Sequence, residues 1–213
     1  IKEKKLILNF KGNEVANLPI DALSSQAPMY DRKWKKITLP NKEPRLEKLK
    51  KIKFENSFLK ILSSPNFSNK QWVTNQYDQM VMGDTIQRSG SDSAIIRIHK
   101  KNKAIAITVD SSSNYSKAHP LTGGKQIVCE NWRNLISAGS KPLAITNCLN
   151  FGNPENEEIM GEFAECLQGI KKACEFLDFP IVSGNVSFYN GTNKKNIFPT
   201  PVIGGVGLIA DVS

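Results

Sequence analysis

Three observations in the sequence predict an α/β fold, grading into α+β. Two apolar segments, residues 93–98 and 104–109, flank a Lys-Lys-Asn-Lys turn and read as a strand hairpin. Ile159, Phe163, Cys166, Leu167, Ile170, Cys174 and Leu177 recur at helical spacing and make the clearest amphipathic helix in the chain. The Gly-rich run PTPVIGGVGLIADV at residues 199–212 suits a strand pressed against another backbone. The element order is hairpin, helix, strand, helix, strand, strand, with Asp110, Asn147 and Asn185 at or near strand ends.

Upstream, residues 5–20 read as one or two short strands and residues 21–34 as a turn-rich exit, too little for a domain. Residues 37–45, with Pro40 and Pro44, have linker composition, and 43–63 suggest one or two short helices that stop before Pro65. The chain begins at Ile1 inside a strand-like pattern and is expected to be a fragment. In residues 71–81, Trp72, Val73, Gln76, Tyr77 and Met80 share helical spacing and are expected in the core. Asp110 ends the second hairpin strand and opens a long polar loop, SSSNYSKAHPLTGG. A helix over 126–138 then places Ile127, Val128, Trp132, Leu135 and Ile136 on one face, with Gly139 to end it. Glu130 and Asn134, four apart, point the same way; the spacing fits a shared metal or network and fits a surface polar pair equally.

The stretch LAITNCLNFGNPENEEI, residues 143–159, breaks from a buried-strand pattern into a polar loop and then opens a helix. Leu143, Ala144 and Ile145 suit a strand covered on both faces; Thr146, Asn147, Asn150 and Asn153 then supply neutral hydrogen-bonding groups. Asn153 is expected to cap the helix with Pro154 in its first position, while Glu155, Glu157 and Glu158 match the positive end of the dipole. Two readings fit: a plain capped helix, or a ligand site at a strand-to-helix loop. The acidic first turn opposes a bare phosphate, so a nucleotide there needs a metal ion or another approach.

The formal charge is +9, but residues 1–60 hold 15 Lys and Arg against 7 Asp and Glu, or +8 of it. The folded body is nearly neutral, which argues against a nucleic-acid groove. Cys129, Cys148, Cys166 and Cys174 form no CxxC pair, consistent with reduced thiols and a cytoplasmic setting. No apolar run approaches membrane-spanning length, and no membrane partner is expected.

Five motifs in register carry a resemblance: DSSSNY, HPLTGG, TNCLNFGNPE, SGNVSFYN and PTPVIGGVG. Together they resemble the small-type synthetase subunit of the phosphoribosylformylglycinamidine synthases, over roughly residues 66–213. The resemblance implies the aminoimidazole ribonucleotide synthetase-like N-terminal fold, a sheet with helices on one face, pairing into a barrel-like dimer. It divides the chain into 1–40, the tail of a preceding C-type domain; 41–65, a linker with a short helix; and 66–213, the second N-type domain.

The family's reaction converts formylglycinamide ribonucleotide to its amidine with ATP, Mg2+ and glutamine-derived ammonia. The implied partners are a glutaminase subunit, a small accessory subunit and the rest of the same chain, or a second copy of the fragment. Carried over by motif, Asn147 and Gly184 contact the nucleotide, Asn185 holds magnesium and Ser187 contacts the substrate. Many members have Asp at the position of Asn147, so a charge is missing here. Asp92, Glu130 and Asn134 match positions that hold an auxiliary nucleotide in large-type relatives. The family's catalytic His motif corresponds to Trp72–Asp78, which contains no His, and His119 reads as a loop hydrogen-bonder. No catalytic residue is assigned, and the fragment alone is expected to be inactive. The competing expectation is a degenerate structural or dimerisation module with no ligand site of its own.

Overall fold

The computed structural model describes residues 4–39 and 53–213. The chain divides into two compact units, one ending at Lys33 and one beginning at Trp34. In the first, β1 (Lys5–Phe10) and β2 (Asn13–Pro19) form an antiparallel hairpin around Lys11 and Gly12, both at positive φ. Leu8 and Phe10 stay about half or more exposed (50% and 64%).

The second unit opens with α1 (Phe54–Leu62) and a single turn, α2 (Gln71–Thr74). Next come β3 (Thr85–Gln87), β4 (Ala94–Arg97), β5 (Ala104–Ser111), α3 (Ser113–Ala118), α4 (Pro120–Ser137) and β6 (Lys141–Asn150). The chain continues with α5 (Glu157–Leu177), β7 (Ile181–Ser187), the small hairpin β8 (Gly191–Thr192) and β9 (Lys195–Asn196), and β10 (Thr200–Ile209). Six strands make an open sheet in the order β3-β4-β5-β10-β6-β7, antiparallel throughout except for the parallel pair β6 and β7 that α5 connects.

The strand last in sequence is central, and its composition explains why. Asn131 of α4 presses directly on β10: a Cβ on Gly205 would lie 1.8 Å from Asn131 Oδ1. Apolar residues from α4 (Ile127, Val128, Leu135) and α5 (Cys166, Ile170, Ala173) meet Ala104, Ala106, Ile145, Leu149 and Ile203 of the sheet in one core. Full burial of each large aliphatic side chain there contributes about 1.5–3 kcal/mol. The opposite face is open, with Val109, Ile107 and Val206 exposed.

Several expectations need correction. Leu143 is exposed at a register shift, and Thr146 is exposed between buried Ile145 and buried Leu149, so β6 is covered on one face only. Thr146–Asn150 continue that strand, because pairing to both β10 and β7 runs to Asn150; Asn147 lies inside the strand. The polar loop after Asp110 is largely helical. Pro120 starts α4, His119 Nδ1 accepts from the Thr122 N–H, and buried Ser116 lets α3 pack closely on α4 at Gly123. Helical spacing over 71–81 yields only α2, since Asp78 turns the chain by accepting from the Met80 N–H, and Trp72 and Tyr77 are exposed. Asn156, not Asn153, caps α5, accepting from Glu158 and Ile159; Asn153 accepts from Glu155 in the preceding turn. Of the expected linker and helix region, residues 40–52 lie outside the described residues.

Asn131 is fully buried, and its Nδ2 lies 2.9 Å from Asp110 Oδ2, 3.1 Å from the Ile203 carbonyl and 3.4 Å from the Thr108 carbonyl. Asn131→Ala is expected to lower the unfolding free energy by about 2–4 kcal/mol, through unpaired acceptors and a small void. Gly205→Ala should also destabilise, by collision with the same amide, and the double variant should lose less than the sum because the amide is then gone. Urea unfolding of the four proteins tests this; strict additivity would contradict the contact.

Candidate functional site

Because β5 and β6 both pair antiparallel with β10, and β7 runs parallel to β6, the three strands end at one rim of the sheet. Ligands in open α/β sheets bind outside such carboxyl ends. Register arranges the rim in cross-strand rows. Asp110, Ile203, Asn147 and Gly184 form one row on the helix side; Ser111, Val202, Cys148 and Asn185 form the next, on the open side. Asn150 and Ser187 pair two residues further on, also on the open side.

Asn147 and Gly184 are thus direct neighbours. A Cβ on Gly184 would lie 2.0 Å from Asn147 Oδ1, so only glycine lets this amide lie against β7. Asn185 faces the opposite way, but β7 is an edge strand and both of its faces can be reached around its free edge. A groove of about 490 Å³ runs there, lined by Asn147, Gly184 and Asn185 together with Phe163, Leu167 and Val182. Ser187 is outside that lining. It belongs to the adjoining loop, where Asn190 Nδ2 donates to the Ser187 carbonyl and to the Phe151 carbonyl, each at 3.0 Å.

That loop is stitched to the one after β6. The Phe151 N–H donates to Ser187 and the Tyr189 N–H to Gly152, both at 3.0 Å, while Asn196 Oδ1 accepts from the Asn153 N–H at 2.9 Å. Beneath them Phe163 of α5 meets Phe151 and Phe188 edge-to-face, with centroids 5.1 and 5.0 Å apart. The aromatic trio anchors both loops to the helix, giving the rim a firm floor.

The donors near Asn185 are neutral: Thr146 and Ser183 hydroxyls 3.1 Å apart, and the Asn185 amide, which has no side-chain partner among the described residues. Nor do three or more Asp, Glu, His or Cys side chains converge on one point there, among the described residues. Such a set fits Mg2+ only where phosphate oxygens supply the charge.

Of the auxiliary residues, Asp92 and Asn134 come together. Ser137 Oγ is 2.7 Å from Asp92 Oδ2 and 3.0 Å from the Asn134 carbonyl. Asn134 Nδ2 donates to Asp110 Oδ1 at 2.8 Å, and Glu130 is exposed one turn away. Asp110, read only as a strand end, is the hub of this network. Burial raises its carboxyl above the ordinary range, while hydrogen bonds from Asn131, Thr108 and Asn134 pull it back. His119 caps α4, and His99 Nδ1 lies 3.3 Å from Asp84 Oδ2.

Residues 90–209 match the family model of the AIR synthase related protein, N-terminal domain. The chain belongs to this family. It is 59% identical over 211 residues to the phosphoribosylformylglycinamidine synthase subunit PurL of Pelagibacter ubique, covering 99% of this chain and 29% of that protein. To the same subunit of Bradyrhizobium diazoefficiens it is 47% identical over 209 residues, covering 98% and 28%. Among solved structures it resembles Thermotoga maritima PurLQS, with TM-score 0.74 and 31% identity, covering 98% of this chain and 32% of that one. T. maritima PurL complexed with ATP gives 0.71 and 28%, covering 97% and 31%. The chain therefore spans less than a third of these relatives. The AIR synthase related fold accounts for the mixed sheet with α4 and α5 on one side; the described sheet is open and does not close into a barrel.

The raised Asp110 has a pH signature. With its folded value above the unfolded one, its contribution to stability is full below the ordinary carboxylate range and is lost as pH rises through the raised value. The stability difference, wild type minus Asp110→Asn, should therefore fall as pH rises from the ordinary carboxylate range through the raised value. Urea unfolding across that range checks it, and a flat or rising difference would contradict the assignment.

Proposed function

We propose that this chain is part of an ATP-dependent amidoligase that converts formylglycinamide ribonucleotide and glutamine-derived ammonia to formylglycinamidine ribonucleotide in purine biosynthesis, in the cytoplasm. The observation that carries the reading is 59% identity to PurL along 99% of the chain. The groove that holds Asn147, Gly184 and Asn185 together supports it. Related structures from T. maritima are complexes of PurL with ATP and with FGAR.

In this reading the free edge of β7 is one wall of the nucleotide site. Gly184 lets the ligand approach the backbone, and the Asn147 amide hydrogen-bonds the base or ribose. Asn185 would hold a magnesium ion brought in with the phosphates, through its amide oxygen, and that ion would supply neutralisation of their charge. Ser187, held by Asn190, contacts the formylglycinamide ribonucleotide. In the reaction the substrate amide oxygen takes a phosphoryl group from ATP, ammonia attacks the activated carbon, and phosphate leaves with the former amide oxygen. Asp92, Asn134 and Glu130 border an auxiliary nucleotide position. The partners are the glutaminase subunit, the small accessory subunit, the rest of the parent chain and, for the isolated fragment, a second copy.

The all-neutral donor set, with Asn147 in place of a carboxylate, favours a second reading in which this half serves assembly only. Calorimetry on the full-length parent separates the two. Asn185→Ala should weaken magnesium-ATP binding at least tenfold and reduce amidine formation, and the 213-residue chain alone should form no amidine from ammonia. Unchanged binding and turnover in Asn185→Ala would favour the assembly reading.

A further inference from the structure

A second cavity, of about 530 Å³, shares no lining residue with the β7 groove. Its walls are residues 34–39, the start of α4 and the middle of α5. The segment 34–39 is pinned to α5: the Lys35 N–H donates to the Glu157 carbonyl at 3.0 Å, its ammonium lies 2.8 Å from the Glu157 carboxylate, and the Ile37 N–H donates to Glu165 Oε1 at 2.9 Å.

Glu165 is only 7% exposed, and among the described residues no cation pairs with it. A buried carboxylate is costly unless well supplied with donors, and the single Ile37 N–H uses a fraction of its acceptor capacity. Glu165, Gln168 and Lys172 all line the cavity and follow the i, i+3, i+7 spacing of one helix face. Lys172 is about 10 Å further along the axis than Glu165, by helical rise. Lys36 lines the same space from the pinned segment, and neither Lys36 nor Lys172 has an ion-pair partner among the described residues. His119 accepts through Nδ1 at the α4 cap, so its neutral ring carries the proton on Nε2 and can donate. Trp34 contributes a flat apolar ring to the lining.

We propose that this cavity is a separate small-molecule site for a nucleoside 5′-monophosphate bound without a metal. Lys36 and Lys172 supply positive charge for a phosphate, Glu165, whose carboxylate brings the lining to a net charge of +1, and Gln168 suit the N–H donors of a base two helical turns away, and Trp34 suits its ring. The volume lies within the range of small-molecule pockets, about 300–1,000 Å³. A triphosphate would leave far more negative charge uncompensated here than a monophosphate does.

The test is calorimetric titration of the 213-residue chain with AMP in EDTA, which removes the magnesium that the β7 groove requires. AMP should bind, adenosine and inorganic phosphate should each bind at least tenfold more weakly, and Lys36→Gln with Lys172→Gln should reduce AMP affinity at least tenfold with Tm unchanged. Asn185→Ala should leave AMP affinity as it is. No AMP binding, or binding insensitive to the lysine pair, would overturn the proposal. So would phosphate binding as tightly as AMP, or a loss in Asn185→Ala equal to that of the lysine variants. Since neither lysine belongs to the β7 groove, the two sites can fail independently.

Discussion

The buried amide of Asn131 is the constraint on which the arrangement depends. One side chain of α4 reaches the carbonyls of β5 and β10 and the Asp110 carboxylate together. In a low-dielectric interior the Nδ2 donor, shared among three acceptors, allows few alternatives, because any slip of helix against strand takes it away from them; Oδ1 has no hydrogen-bond partner among the described residues. Gly205 makes the approach sterically feasible. With β10 held under α4 and paired on both edges, the order of β5, β10 and β6 follows, and with it the common rim where three strands end.

The rim gains its character from what lies next to it. α5 returns the chain to a parallel β7, so Asn147 meets Gly184 and Cys148 meets Asn185 in successive rows. Alternation sends these rows to opposite sides of the sheet, which in a central strand would separate their chemistry. At the free edge of β7 they stay within one groove. Phe151, Phe163 and Phe188 hold the loops beyond it, so the wall is built on packed aromatics and asparagine-to-backbone hydrogen bonds instead of charge.

What could be read from the sequence was what repeats. The hairpin and the amphipathic α5 show a period and the Gly-rich run an apolar strand composition, and all three are present, with β10 pressed closely by Asn131 at Gly205. Asn131 shows none: it is one asparagine beside an apolar stripe, whereas Glu130 and Asn134 have a spacing that is visible in the sequence and a depth that is not. Glu162 and Glu165 escaped for the same reason, since carboxylates on a helix read as solvent-facing until Lys117 and the Ile37 N–H are found against them. The helix of 113–118 was hidden by its Ser- and Asn-rich composition, because packing against Gly123, which no local pattern records, outweighs weak propensity. At the candidate site the motifs point to Asn147, Gly184, Asn185 and Ser187 as candidates, but the face that each presents depends on register with β10 and β6.

The central claim is that the free edge of β7 receives the nucleotide. Methyl-resolved NMR of the full-length parent, titrated with magnesium and a non-hydrolysable ATP analogue, tests it most directly. The account predicts shifts at the groove methyls of Leu167, Val182 and Val186, with Val109 on the exposed sheet face unmoved. Saturable binding of the analogue with Leu167, Val182 and Val186 unperturbed would contradict it.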